Sequence, residues 1–183
     1  MIYRQNFAIL EQEVMVEVKS FSDKYAVRKL TSENIDEIYK LLSKNVLYYE
    51  YCPPFVTRQS IMRDMNALPP EKTMEDKYYL GFYQQDKLIA VMDFIDGYPE
   101  KGIAYIGFFM TDVSVQGKGL GTEIIEDLCN YLVGEGYYSV RLAWVKGNPQ
   151  AEHFWIKNCF VPIMETKSNV ADTVILAERL LGL

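Results

Sequence analysis

The chain has 183 residues, 49% hydrophobic and 24% charged, with a net charge of −6 and a pI near 4.9. That length suits one domain whose core needs neither metal nor disulfide to hold it, and the acidic balance without any Lys/Arg cluster excludes a generic nucleic-acid binder. Cys52, Cys129 and Cys159 are odd in number and form no Cys-x-x-Cys pair, which excludes a disulfide framework and a zinc site.

Residues 1–22 carry charges throughout and no uninterrupted apolar stretch, so they do not read as a secretory leader. No apolar run approaches the roughly 18 residues of a membrane span, and a cytoplasmic protein is the expectation. Val14, Met15, Val16 and Val18 suggest an extra strand or arm, an extension of the domain at 23–183 and one route to a homodimer. A strand follows over Tyr25–Leu30, then a helix capped by Thr31 or Ser32, with Ile35, Ile38, Leu41 and Leu42 at helical spacing. Asn45–Phe55 reads as an aromatic loop stiffened by Pro53-Pro54. Thr57 caps a second helix carrying Ile61, Met65 and Leu68, which Pro69-Pro70 ends.

The pattern then changes to period two. Tyr78–Tyr83, Lys87–Ile95 and Ala104–Val113 read as three strands, the first two joined by a tight turn at Gln85-Asp86. Gly119–Val133 is an amphipathic helix with Leu120, Ile124, Leu128 and Leu132 in one row, stopped by Gly134 and Gly136. Ser139–Val145 is a fifth strand. Pro149–Lys157 is a short helix with Ala151, Phe154 and Trp155 on one face, and Phe160–Glu165 and Thr173–Ala177 are the last two strands. A mixed α/β sheet with helices on both faces fits this order.

The informative segment is Val113-Ser-Val-Gln116-Gly117-Lys118-Gly119-Leu120-Gly121-Thr122, where a strand gives way to glycines and at once to a helix. Glycine lets the backbone approach a ligand, and the helix start adds unpaired N–H donors and positive dipole, so the segment is built for a phosphate or pyrophosphate. A Walker A loop would need Gly where Asp112 stands and Ser or Thr where Gly119 stands. A dinucleotide fingerprint beginning at Gly117 would need Gly where Thr122 stands, in the first βαβ unit of a domain. Both are excluded. His153, the one histidine, sits on the outer side of its helix, so a Ser-His-Asp or Cys-His hydrolase finds little support.

Gln116, Gly119 and Gly121 satisfy the Gln/Arg-x-x-Gly-x-Gly/Ala signature of the GNAT superfamily of acyl-CoA N-acyltransferases, which the chain resembles in element order over roughly residues 24–180. A second pattern of that family, Asn-x-x-Ala-x-x-Phe-aromatic, stands as Asn148-Pro-Gln-Ala151-Glu-His-Phe154-Trp155. The resemblance implies a central, mostly antiparallel sheet whose fourth and fifth strands splay apart around acetyl-CoA. It implies that the backbone N–H groups of Gly117, Lys118, Gly119, Leu120, Gly121 and Thr122 hold the pyrophosphate, while Lys118 itself reaches a phosphate or points to solvent. Backbone near Thr111 and Val113 would pair with the pantetheine arm, and Thr111 N–H would serve the oxyanion. Asn148 would offer its amide to that arm, cap its helix, or both.

The acceptor the resemblance implies is an amine, on a small molecule or a peptide. A departure lies at Trp155, where many members carry a tyrosine acid. Tyr105 could supply an acid from another position, or the thiolate could leave unassisted. Asp93 and Glu50 are the candidates for proton acceptor and acceptor binding, each alternatively a plain surface carboxylate. A protein that binds acyl-CoA without turning it over is the alternative reading.

Overall fold

The computed structural model describes residues 16–167 and 173–182. Its strands are β1 (Ala26–Lys29), β2 (Lys77–Gln84), β3 (Lys87–Ile95), β4 (Ile103–Thr111), β5 (Ser139–Val145), β6 (Val161–Thr166) and β7 (Val174–Leu180). Its helices are α1 (Ile35–Leu42), α2 (Val46–Tyr51), α3 (Arg58–Asn66), α4 (Leu120–Gly134) and α5 (Pro149–Lys157). The seven strands make one sheet in the order β1-β2-β3-β4-β5-β7-β6, antiparallel at every junction but one. The exception is the parallel pair β4 and β5, whose connection runs through α4.

Alternation along the strands sends side chains to two cores. On one face Ile124, Ile125, Leu128 and Leu132 of α4, with Trp155 of α5, pack against Phe82, Ala90, Met92, Phe94, Ile106 and Leu142. On the other, Ile38, Leu41 and Leu42 of α1 and Ile61 and Met65 of α3 pack against Tyr79, Tyr83, Val91 and Met110. Each fully buried Ile or Leu contributes about 1.5–3 kcal/mol by leaving water, so the α4 stripe alone fixes that helix on its face. Capping sets where helices begin. Thr31 and Asn34 form a reciprocal capping box on a 3-10 turn over Ser32–Asn34 that leads into α1, and Thr57 and Ser60 form another on α3.

Several expected boundaries move. The stretch Asn45–Phe55, expected as a loop, contains α2, anchored where the Asn45 amide donates to the Leu41 and Thr111 carbonyls at 3.2 and 3.3 Å. The second predicted helix ends at Asn66, so Leu68 falls outside it, 39% exposed; Ala67 is already extended. Proline at 69 disfavours helical backbone at the residue before it. Strand β4 ends at Thr111, and Val113 lies in a 3-10 turn over Val113–Val115 because the Asp112 carboxylate accepts from Ser114 N–H and curls the chain. The last two strands shift to Val161–Thr166 and Val174–Leu180. Val14 and Met15 lie outside the described residues. Val18 belongs to a 3-10 turn, Val18–Phe21, not a strand, and Val18 and Phe21 join the α4 core.

Candidate active site

The parallel pairing of β4 with β5 runs only from Ile103↔Ser139 to Ile106↔Leu142. Beyond it β5 keeps β7 as its partner, while the β5-facing edge of β4 from Gly107 to Thr111 is unpaired. The two strands therefore open into a V. A bulge marks its throat: Asp93 pairs with Phe108 and Phe94 with Ile106, leaving Gly107 as the extra residue. The bulge also turns Phe108 onto the face it shares with Tyr105.

The direction of the exposed backbone follows from alternation. Asp112 N–H donates to Ile89 O at 2.8 Å, so residue 112 and every second residue before it face β3. Phe109 and Thr111 thus aim their N–H and C=O groups into the V. The Thr111 carbonyl is already taken, accepting from Gln116 Nε2 at 3.2 Å and Asn45 Nδ2 at 3.3 Å. Its N–H and that of Phe109 are the donors on this edge. Thr111 was expected from the sequence; Phe109 was not, because only the register distinguishes it.

At the wide end of the V the glycine turn meets α4. Gly117 and Gly119 have φ of +73° and +85°, and a Cβ built on either would meet nothing within 4 Å. Gly119 is the N-cap and has no side chain to close the helix; the first intrahelical bond is Glu123 N–H to Gly119 O. The N–H groups of Leu120, Gly121 and Thr122 consequently lack helical partners, the arrangement that receives an anion. Glu123 would oppose that charge, but Tyr25 Oη donates to its carboxylate at 2.8 Å and Lys24 pairs with it at 3.1 Å. A diphosphate therefore fits these residues. Gly121 serves packing as well, since a Cβ there would stand 3.1 Å from the Phe154 ring.

The loop is braced from beneath. Gln116 donates to Asn45 Oδ1 at 2.7 Å, and Asp112 accepts from Lys44 at 2.9 Å. Burial pushes the Asp112 carboxyl up, but hydrogen bonds from Ser114 and Lys44 outweigh it and hold it at about 2. Lys118 is exposed and donates to Ser114 O at 2.8 Å, a clip on its own loop. Leu120 is buried and can offer only backbone. Asn148 Oδ1 accepts from Ala151 N–H at 3.1 Å, so its capping role is realised. Val113, 41% exposed in its turn, does not continue β4 along the V.

The side chains around the throat divide by face. Phe109 stacks on Phe154 with ring centroids 5.9 Å apart, and Trp155 closes behind them at 6.0 Å from Phe109, buried in the α4 core. On the opposite face Tyr48 lies edge-on to Phe108 at 5.9 Å and to Tyr49 at 5.1 Å. Asp93 sits on that face directly under the bulge: its Oδ2 is 2.8 Å from a Cβ built on Gly107. Lys77 Nζ holds both Asp93 oxygens, at 2.7 and 2.6 Å, with 1% of the lysine side chain and 14% of the aspartate exposed. Burial raises the Asp93 carboxyl, Lys77 pulls it back, and Asp64 pushes it up again; the net direction is up. Glu50 is exposed on α2, without an ion pair among the described residues. Nothing in the sequence around Lys77 marks it as part of this site.

Residues 36–159 match the acetyltransferase (GNAT) family. The chain belongs to that family. As a GNAT-family acyltransferase it shares its fold with solved structures of low sequence identity. An acetyltransferase from Thermus thermophilus superposes with a TM-score of 0.68 at 18% identity, over 86% of this chain and 97% of that one. The PaiA N-acetyltransferase of Thermoplasma acidophilum, in complex with coenzyme A, gives 0.63 at 16%, over 85% and 98%. A phosphinothricin acetyltransferase of Sinorhizobium meliloti, in complex with AcCoA, gives 0.61 at 12%, over 87% and 89%. At these identities the likeness shows the fold alone. No curated protein sequence matches the chain at a significant level. Among the described residues of this GNAT protein no helix is long and apolar enough to cross a membrane.

Proposed function

We propose that this GNAT protein moves the acetyl group of acetyl-CoA to a primary amine on a small molecule, by direct attack of nitrogen on the thioester. The observation that carries the reading is the V between β4 and β5, with uncapped α4 N–H groups at one end and a mostly buried carboxylate at the other. Backbone N–H groups from Gly117 to Thr122 take the pyrophosphate, and Asn148 lies on the β5 side of the V. The N–H groups of Phe109 and Thr111 face the pantetheine arm and the developing oxyanion. Asp93 accepts the proton that the ammonium must lose before its nitrogen can attack. The second nitrogen proton leaves as the C–N bond forms, the C–S bond breaks, and CoA thiolate takes up a proton. With Trp155 in the core and a thiol pKa of about 8.5, departure without an acid is feasible. Three free cysteines and the acidic chain suit a reducing cytoplasm.

The test is acceptor-dependent thiol release from acetyl-CoA, paired with calorimetry. Gly119→Glu puts a carboxylate among the α4 N–H groups and should abolish acetyl-CoA binding and release while the far-ultraviolet dichroism stays native. Normal affinity in that folded variant removes the cofactor assignment. Intact binding with no amine stimulating release removes the amine assignment and supports a binder without turnover.

A further inference from the structure

The mouth of the V on the α1–α3 face has a chemistry that selects among amines. Tyr105 and Phe108 flank the Gly107 bulge, Tyr48 closes over Phe108, and Asp93 forms the floor. Tyr48, Tyr105 and Phe108 are each partly buried, at neither a sealed core position nor a free surface one. Rings beside a carboxylate receive an alkylammonium twice over, through the π faces and through the charge. The cations of this neighbourhood are mostly engaged: Lys77 by both oxygens of Asp93, Lys44 by Asp112, Arg58 by Asp36. Arg63 stands exposed on α3, and its neighbour Asp64 adds further negative charge toward Asp93.

An α-amino acid carries its carboxylate on the carbon that bears the amine. Placing that amine at the throat would turn the carboxylate toward Asp93, the exposed end of its pair with Lys77, whose own side chain is sealed behind it at 1% exposure. We infer that the acceptor is a primary amine without an α-carboxylate, an alkylamine, arylalkylamine or diamine. The inference rests on the amine reading above and names its substrate class. Tyr48 and Phe108 take the carbon body, and Asp93 takes the ammonium.

Matched pairs test it: phenethylamine against phenylalanine, tyramine against tyrosine, putrescine against ornithine, each scored by kcat/KM for CoA release, with a short peptide bearing a free N-terminus alongside. Like-charge repulsion in a half-buried site predicts that the amine of each pair exceeds its amino acid by about 100-fold or more. Tyr48→Leu should raise KM for the preferred amine about 10-fold with kcat nearly unchanged, and Tyr48→Phe, which keeps the ring, should restore it. Asp93→Asn, in protein whose far-ultraviolet dichroism stays native, should lower kcat/KM by about 100-fold or more, in keeping with a lost proton acceptor. Amino acids used as well as their amines, or the peptide used in preference to both, would overturn the inference while leaving acetyl transfer to nitrogen standing. Release from no acceptor, with acetyl-CoA binding intact, would instead overturn the amine reading beneath it.

Discussion

Lys77 opens β2 with its ammonium 2.6 Å from Asp93 and almost no exposure. A lysine at the start of a strand reads in sequence as a solvated end. Its burial is a matter of register: Lys77 pairs with Ile95 and Tyr79 with Asp93, so Lys77 and Asp93 are diagonal neighbours on one face. Asp93 itself was legible as a candidate, because it interrupts an apolar strand; its partner was not, because pairing across strands has no local signature. Breaking a buried pair from one side leaves a bare charge. Lys77→Met should therefore destabilise the fold by about 3–5 kcal/mol in urea unfolding, whereas Lys77→Met with Asp93→Leu should recover most of that loss. A double variant less stable than either single one would show that the pair is not the coupled unit described here.

At the scale of elements, the segment between β4 and α4 depends on supports drawn from elsewhere in the chain. Gln116 was read as part of the family signature, and in the fold its amide braces the loop by donating to Asn45 and to the Thr111 carbonyl. Asn45 has no local signature, because the aromatic residues after it mask a six-residue helix without a fully buried position. The glycines were legible because φ near +80° leaves few alternatives. Asp112 completes the brace, and its carboxyl lies at about 2 in the folded protein against about 3.9 in an unfolded chain. A depressed carboxyl adds stability that is fully present above its unfolded value and is lost as pH falls through its folded one. Thermal melts should therefore show part of the acid loss between about pH 4 and pH 2, and Asp112→Asn should flatten that limb. A variant that keeps the native slope would assign the acid loss to other carboxylates.

At the scale of the molecule, period-two strands, amphipathic helices and their order were enough to anticipate a mixed sheet covered on both faces. The order β5-β7-β6, which returns the last strand to the inside, was not legible, since all six residues of β6 are exposed and its alternation carries no burial signal. Acetyl-CoA bound across β4 and β5 should stabilise the whole domain. At 100 times its Kd the gain is about 2.7 kcal/mol, which for a chain of this size raises Tm by about 5–10 °C. Differential scanning fluorimetry should show that rise, and Gly119→Glu should erase it; an equal rise in the variant would mean that binding occurs elsewhere. Sheets ordinarily confine their unsatisfied rims to the outside, where charge, proline or a covering helix keeps other chains from adding on. This sheet carries such a rim in its interior, along β4 from Gly107 to Thr111. The amide-bearing arm of the proposed cosubstrate would then act as a removable strand, completing the sheet from within for as long as it stays bound.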